Sequence, residues 1–448
     1  MGEITKRASL GRAELENLVG VALDEARSLG VDQAEVSASQ DTGLSATARL
    51  GEVESLEYNN DRGIWVTVYK DSRKGSASTS DMAPEAIREA VAKAASFASV
   101  TAPDEYAGLA DAELMATEIP DLDLDHPWDI DADAAIALAI ESEQAGRDVD
   151  SRISNSEGAT VATNRGCRAY GNSHGFIGSL AKTSHSVTCV LLAEAEGVMQ
   201  RDYYYTSARC ADDLETARYV GRRAGEKTVS RLGARKIETT RAPVLYVPEL
   251  ARGFVGHAIN AISGGALYRK ASFLLDAAGE TLFPDFVNIQ ERPHLPRGMA
   301  STAYDSEGVA TYDRDIVTDG VLQGYVLSSY SARRLGLTTT ANAGGAQNLV
   351  IPGGNKGKEE LLKEMGTGLI VEELIGQGVN GVTGDYSRGA VGYWVENGEI
   401  AYPVHEVTIA GNLKDLFMRI AAIGNDTDVR SRIRCGSILV EEMTIAGA

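Results

Sequence analysis

The hydrophobic period of this chain switches from helix to strand and back to helix, and the same order of switches occurs twice. In the first round Leu15, Leu18, Val19, Ala22, Ala26 and Leu29 recur at helical spacing, and Gly30 follows as a stop. The period then becomes two at Ala34, Val36 and Ala38, and again at Leu44, Ala46, Ala48 and Leu50. Runs from Val53 to Tyr58 and from Ile64 to Tyr69 come next, with Asn59-Asn60-Asp61-Arg62-Gly63 between them as an expected turn. Pro84 opens a second helix with Ile87, Ala90, Val91, Ala94 and Ala98 on one side.

The second round follows a linker over 101–130 that carries Pro103, Pro120 and Pro127 and many acids. It has an Ala-rich helix over about 131–146 and strand-like runs at Ala159–Thr163, Arg168–Tyr170, Phe176–Leu192 and Val198–Thr206. A helix from Asp212 to Leu232 closes it, and Asn164-Arg165-Gly166 is expected to turn this meander as Asn60 to Gly63 turns the first. Residue identity between the rounds is low, so the duplication rests on element order alone. The expectation is an antiparallel meander with one wet face.

After Gly233 the text changes. Val244–Val247 reads as a short strand, Pro248 starts a helix through Ile262, and from 299 onward strands alternate with turns. Asp319-Gly320, Asn397-Gly398 and Gly411-Asn412 are hairpin signals. The expected fold class is α+β. An N-terminal domain over 1–235 pairs helices with duplicated antiparallel β-meanders, and a C-terminal domain over 240–448 is β-rich and barrel-like.

Charge narrows the function. Lys plus Arg come to 43 and Asp plus Glu to 64, a net −21, which argues against nucleic acid or an anionic membrane as partner. Six of the acids are Asp residues at 121–133, expected to sit in a solvated connector. Met1 to Leu10 is polar with no apolar h-region, and no run approaches the roughly 18 apolar residues of a membrane helix. Cys167, Cys189, Cys210 and Cys435 form no C-x-x-C pair and no disulfide framework, so a cytoplasmic location is expected.

Several short motifs have plainer explanations. Gly376 to Gly381 spells G-x-G-x-x-G, but Val382 to Gly389 cannot open a helix, as a dinucleotide site requires. Gly171-Asn172-Ser173-His174-Gly175 spells G-x-S-x-G between two strand-like runs, where a hairpin turn is expected instead of a nucleophile elbow. Asp121, Asp123 and Asp125 alternate as in a calcium loop, yet His126 and Ala132 stand where Gly and Glu belong. His405-Glu406 has no second His after it. Val404, Glu406 and Thr408 alternate with His405, Val407 and Ile409, which makes His405 a strand residue. His185 shares a strand face with Val187, Cys189 and Leu191 and is expected to pack. His257 lies on the helix from Pro248, aligned with Leu250, Phe254 and Ala261, and Ser263-Gly264-Gly265 ends that helix.

The segment Gly256-His257-Ala258-Ile259-Asn260-Ala261-Ile262-Ser263-Gly264-Gly265-Ala266-Leu267-Tyr268-Arg269-Lys270 resembles the PmbA (TldE) branch of the TldD/PmbA family. Asp305-Ser306-Glu307-Gly308-Val309, continuing through Asp319 to Leu322 and Tyr330 to Gly336, agrees with it. So do Thr340-Ala341-Asn342-Ala343-Gly344-Gly345 and the run from Gly378 to Ala390 and on to Ile409-Ala410-Gly411-Asn412-Leu413. The resemblance implies a two-domain fold and a role in the TldD/TldE metalloprotease, which trims unstructured or modified peptides. The family was also called a modulator of DNA gyrase.

In the TldD subunit the resemblance implies a helix with H-E-x-x-x-H and a distant Cys that together hold zinc. Here Ala258 stands where the Glu would be and Ile262 where the second His would be. Neither can hold a metal or activate water. Cys435 lies near the place of the Cys ligand and reads as structural. The resemblance therefore implies a chain with no catalytic or metal residue and no cofactor of its own, with zinc in a TldD-type partner. A heterodimer with that partner is implied, and a homodimer in isolation is compatible with it. His257, Ser263, Gly264, Gly265 and Tyr268 are the candidate substrate-groove residues. Two other classes stay open: a self-sufficient hydrolase using Ser173 or a degenerate zinc site from His257, His405 and Cys435, and a non-enzymatic interaction or scaffold protein.

Overall fold

The computed structural model describes residues 10–447, so the polar start at Met1 to Leu10 lies outside it except for Leu10. The first half contains α1 (Arg12–Ser28), β1 (Gln33–Arg49), β2 (Glu52–Lys70), β3 (Arg73–Thr79) and α2 (Pro84–Val100). It continues with α3 (Ala132–Arg147), β4 (Asn155–Asn172), β5 (Ile177–Ala195), β6 (Val198–Ala208) and α4 (Ala217–Ser230). The six strands form one antiparallel sheet in the order β3-β2-β1-β4-β5-β6. That order reads alike from either end: two units of helix, three strands and helix meet at the β1–β4 pair. The duplication expected from element order is present.

Each long strand serves both units. Ala34, Val36 and Ala38 of β1 are buried with α1 and α2, while Leu44, Ala46 and Ala48 are buried with α3 and α4. Small residues let the helices sit close. A Cβ on Gly221 of α4 would fall 1.7 Å from the Ser142 carbonyl oxygen of α3.

The strand breaks expected at Asn59–Gly63 and Asn164–Gly166 are not turns. Both segments are paired mid-strand, Asn59 and Asn164 lying on either side of Gly43. A Cβ on Gly43 would be 2.2 Å from Asn164 Oδ1 and 2.3 Å from Asn59 Oδ1, so this glycine makes room for both amides. Gln40 Nε2 donates to Asn60 Oδ1 at 2.8 Å. Cross-strand bonding thus holds polar residues that composition assigns to a turn. Two-residue hairpins with both φ positive turn the chain instead at Leu50-Gly51, Asp71-Ser72 and Glu196-Gly197. The last helix also begins later than expected, capped by Thr216, whose side chain accepts from Tyr219 N.

The connector is solvated at its acids, with Asp121, Asp123, Asp129, Asp131 and Asp133 exposed, but not along its apolar residues. Leu109, Ala110, Met115, Ala116, Leu122 and Leu124 are buried. Thr183 N donates to Leu124 O, Ala116 N to Gly308 O, and Arg297 N to Leu122 O, so the segment bridges the sheet and the second half. Two of its acids are paired: Asp125 with Arg165 at 2.7 Å and Asp123 with Arg297 at 2.6 Å.

The second half contains β7 (Thr240–Tyr246), α5 (Pro248–Ala261), α6 (Gly264–Tyr268), β8 (Ile289–Glu291), β9 (Arg314–Thr318), β10 (Val321–Leu322), α7 (Ser329–Leu335) and β11 (Leu349–Val350). It ends with α8 (Lys358–Met365), β12 (Gly368–Ile375), β13 (Asp385–Glu396), β14 (Glu399–Asn412), α9 (Leu413–Met418), β15 (Ile420–Ile423), β16 (Ile433–Arg434) and β17 (Ile438–Ala446). The strands β14-β13-β12-β7-β17 run in that order, and Thr408 pairing with Ala446 returns β17 to β14, closing a five-stranded barrel. The hairpins at Asp319-Gly320 and Asn397-Gly398 form as expected. Gly411-Asn412 does not make one: Asn412 ends β14 and its side chain accepts from Lys414 N to cap α9. The alternation read at Val404–Ile409 is also broken. A bulge opposite Ala390–Gly392, with Glu406 at φ 53°, turns both Val404 and Val407 inward. No helix among the described residues is long and apolar enough to cross a membrane.

Candidate functional site

Pro248 at the first helical position fixes the start of α5, and its apolar face decides where the helix lies. Ala251, Phe254, Val255, Ala258, Ile259 and Ile262 join the barrel core. Phe254 stacks on Tyr246 with ring centroids 5.1 Å apart and meets Phe417 edge-on at 5.2 Å. Ala258 and Ile262 are thus core residues, 4% and 1% exposed. His257 is half-buried and edge-on to Tyr386 at 5.8 Å. Burial holds its pKa below the usual histidine range, and the Arg388 charge adds to this.

The other candidates fall in separate places. Ser263 Oγ donates to Asn260 O at 2.7 Å, and Gly264 N donates to Val326 O at 2.8 Å. A Cβ on Gly264 would lie 2.1 Å from Ser331 Oγ, so this glycine serves the contact with α7. Gly265 lies in α6, the short helix that also carries Tyr268. Tyr268 meets Tyr330 edge-on at 5.8 Å, the Arg334 guanidinium lies 5.3 Å from its ring, and Tyr330 Oη donates to Asp104. Gly264 and Tyr268 therefore dock α6 on α7, while Ser263 bonds back to Asn260 of α5, the helix that carries His257.

Cys435 is fully buried, and its Sγ donates to Gly436 O at 3.2 Å. Burial pushes its thiol well up, with Asp426 adding to the shift. His405 lies on β14, its N–H bonded to Arg235 O. Ser173 sits in the β4–β5 hairpin, where Oγ accepts from Ala34 N at 3.1 Å. His185 packs as expected, bonded to Thr163 Oγ1 and His126 O. Among the described residues no three His, Cys, Asp or Glu side chains are grouped to hold a metal ion.

The structure brings together a different set. A cavity of about 530 Å³ lies between the sheet face turned away from α1 and α2 and the loops of the second half. The sheet supplies Trp65, Arg168, Tyr170 and Lys182, with Arg168 paired to Ser39 on one side and Leu180 on the other. The facing wall carries Met299 to Thr302, Asp305, Ser306 and Ala343 to Gln347, with Arg432.

Asp305 organises this wall. Its Oδ1 accepts from Glu307 N and Val309 N, and its Oδ2 from Ala343 N. Burial pushes its pKa up to about 7 against the pull of those three amides. Gly344 and Gly345 have φ of 95° and 100°, a backbone that side chains resist. Behind them Glu291 accepts from Asn342 Nδ2 and Gln347 N and pairs with Arg314. The cavity was not chosen from sequence, although the Gly-Gly pair and Asp305-Ser306 were visible signals.

Two of these cavity segments belong to the blocks that carry the family resemblance, and comparison agrees with it. The model of the PmbA/TldA metallopeptidase C-terminal domain matches residues 239–447, that of the central domain 125–232, and that of domain 1 residues 34–98. The chain is 49% identical over 445 residues to "Metalloprotease PmbA" of Escherichia coli O157:H7, covering 99% of each. The chain belongs to the TldD/PmbA family. A Haemophilus influenzae member described as a metalloprotease PmbA homolog is 47% identical over 97% of this chain and 96% of its own. A crystal structure from Bacteroides thetaiotaomicron, described as that of a candidate modulator of DNA gyrase, superposes with TM-score 0.92 at 27% identity, over 97% of this chain and 99% of that one. TldE from Thermococcus kodakarensis shares the fold, with TM-score 0.83 at 20% identity over 97% and 100% of the two chains.

Proposed function

We propose that this chain is the TldE-type subunit of a TldD/TldE metalloprotease and lacks a zinc site of its own. The observation that carries this reading is the fate of Ala258 and Ile262, which α5 turns into the barrel core. A zinc peptidase needs ligands and a carboxylate that moves a proton from metal-bound water. Alanine and isoleucine supply neither, and the buried Cys435 thiol is held protonated by its surroundings.

The chain's own work is then to hold substrate. Unstructured or modified peptides, extended in the cavity between sheet and loops, meet a zinc centre supplied by a TldD-type partner carrying H-E-x-x-x-H. The pair works in the cytoplasm as a heterodimer. Purified alone, the chain is expected to carry far less than stoichiometric zinc and to cut no peptide. Adding the TldD-type partner is expected to bring cleavage. Tight zinc together with peptidase activity in the isolated chain would overturn the reading.

A further inference from the structure

We propose that the cavity between the large sheet and the second half is a receptor for a peptide's carboxylate, gripped by Arg168, Lys182 and Arg432. The proposal rests on the substrate-holding role argued above and names the group that is held.

The three cations line one space, and none lies within ion-pair distance of a carboxylate among the described residues. Three nearby arginines behave otherwise. Arg165 is paired with Asp125, Arg297 with Asp123 and Asp213, and Arg430 with Asp428 and Glu249. In a chain with 64 acidic and 43 basic side chains, cations left without a carboxylate partner in one cavity run against the overall balance, and Arg432 donates only to Ala346 O at 3.4 Å.

The acids close to the site do not answer them. Asp305 lines the wall, but both of its oxygens are taken by backbone N–H groups of Glu307, Val309 and Ala343. Asp41 lies over Gly166, where a Cβ would be 2.5 Å from its Oδ1, and its charge reaches Lys182 without forming an ion pair. Buried Arg209 donates only to the carbonyls of Thr183, Gly298 and Met299 and adds further positive charge beside Lys182. Burial, then Arg168 and Arg209, hold the Lys182 pKa below its usual range against the weaker pull of Asp41.

The rest of the lining selects the kind of anion. Trp65, Leu180 and Met299 give apolar surface beside the cations, and Gly344-Gly345 lets a backbone approach closely. A guanidinium fork matches a carboxylate in two parallel hydrogen bonds. A carboxylate beside an apolar side chain, as at the C-terminus of an unstructured peptide, fits both halves of this lining. Its volume, about 530 Å³, suits a few residues and not a folded partner.

The test compares a short fluorescent Gly/Ser peptide ending in phenylalanine with a free carboxylate and the same peptide as its C-terminal amide. Anisotropy is read on the full chain, alone and with its TldD-type partner. The free acid is expected to bind about tenfold tighter than the amide, the size of one lost charge-assisted contact. Arg168→Gln and Arg432→Gln, at exposed positions, are expected to weaken the free acid much more than the amide and so remove that preference. Equal affinity for acid and amide, variants that weaken both alike, or no binding of either form overturns the proposal. Displacement of the acid by sub-millimolar inorganic phosphate also overturns it, because the site would then be a phosphate site. Metal content and partner-dependent cleavage, which test the proposed function, are independent of this comparison.

Discussion

Arg314 and Glu291 form a 2.7 Å ion pair with only 13% and 2% of their side chains exposed. The pair sits behind the cavity wall. Glu291 also accepts from Gln347 N, and Arg314 donates to Asn342 Oδ1 and Tyr325 O. The network thereby fixes the loop that presents Gly344 and Gly345.

Removing one partner should therefore cost more than an ordinary surface pair. Arg314→Met leaves the Glu291 carboxylate buried without its cation, and a loss of about 3–5 kcal/mol is expected in urea unfolding. Glu291→Gln keeps one acceptor and should cost about 1–3 kcal/mol. A loss under about 1 kcal/mol for Arg314→Met would mean that water reaches the pair.

The α3–α4 contact predicts opposite signs for two glycine substitutions. Gly221→Ala drives a methyl into the Ser142 carbonyl, 1.7 Å from the built Cβ, and should destabilise by about 1–3 kcal/mol or more. Gly20→Ala lies in α1 with nothing within 4 Å of its Cβ and should stabilise by about 0.5–1 kcal/mol through helix propensity. Thermal unfolding of the two variants checks both, and a shift of the same sign in each would contradict the packing argument.

Helical periods were the most legible part of the sequence, because burial of Leu15, Val19, Ala22 and Ala26 on one face leaves a 3.6-residue signature. Strand ends were less so. Asn59 and Asn164 look like turn residues in isolation, and only their cross-strand position around Gly43 shows why they lie inside strands. The phase at His405 was hidden for a similar reason: a bulge is set by the partner strand, not by the local alternation. That Ala258 and Ile262 cannot hold a metal was readable from residue type, whereas their place in the barrel core and the cavity itself were not. Its walls come from residues as far apart as Trp65, Lys182, Asp305 and Arg432, joined only by sheet register and loop closure.

The connector makes a further prediction, since its charge suggested an exposed segment. Glu113 and Glu118 are themselves exposed, but Met115, Ala116, Leu122 and Leu124 around them are buried. The backbone here is bonded to the second half at Gly308 O and through Ala310 N to Leu114 O. A Glu-specific protease should therefore cut after Glu113 and Glu118 only as the whole chain unfolds, so its rate there should follow urea stability. Rapid cleavage at these two sites in the native protein, with both halves left folded, would show the connector to be loosely held.

Asp305 gives the pH dependence. An unfolded aspartate releases its proton near 3.8, whereas burial pushes the folded group up to about 7. Between those values the folded chain holds a proton that the unfolded chain has lost. Stability from this group is therefore greatest at low pH, falls as pH rises through the window, and levels off above about 7. Asp305→Asn removes the titration while setting an amide NH2 against the N–H of Ala343 or Glu307, a fixed cost at every pH. The stability of the variant relative to the parent should accordingly improve by about 2 kcal/mol between about pH 5 and pH 7 and stay constant above that. Urea unfolding of both chains across this range reads the difference directly. Parallel curves would mean that the three backbone N–H bonds outweigh burial and keep the Asp305 carboxylate ionised throughout.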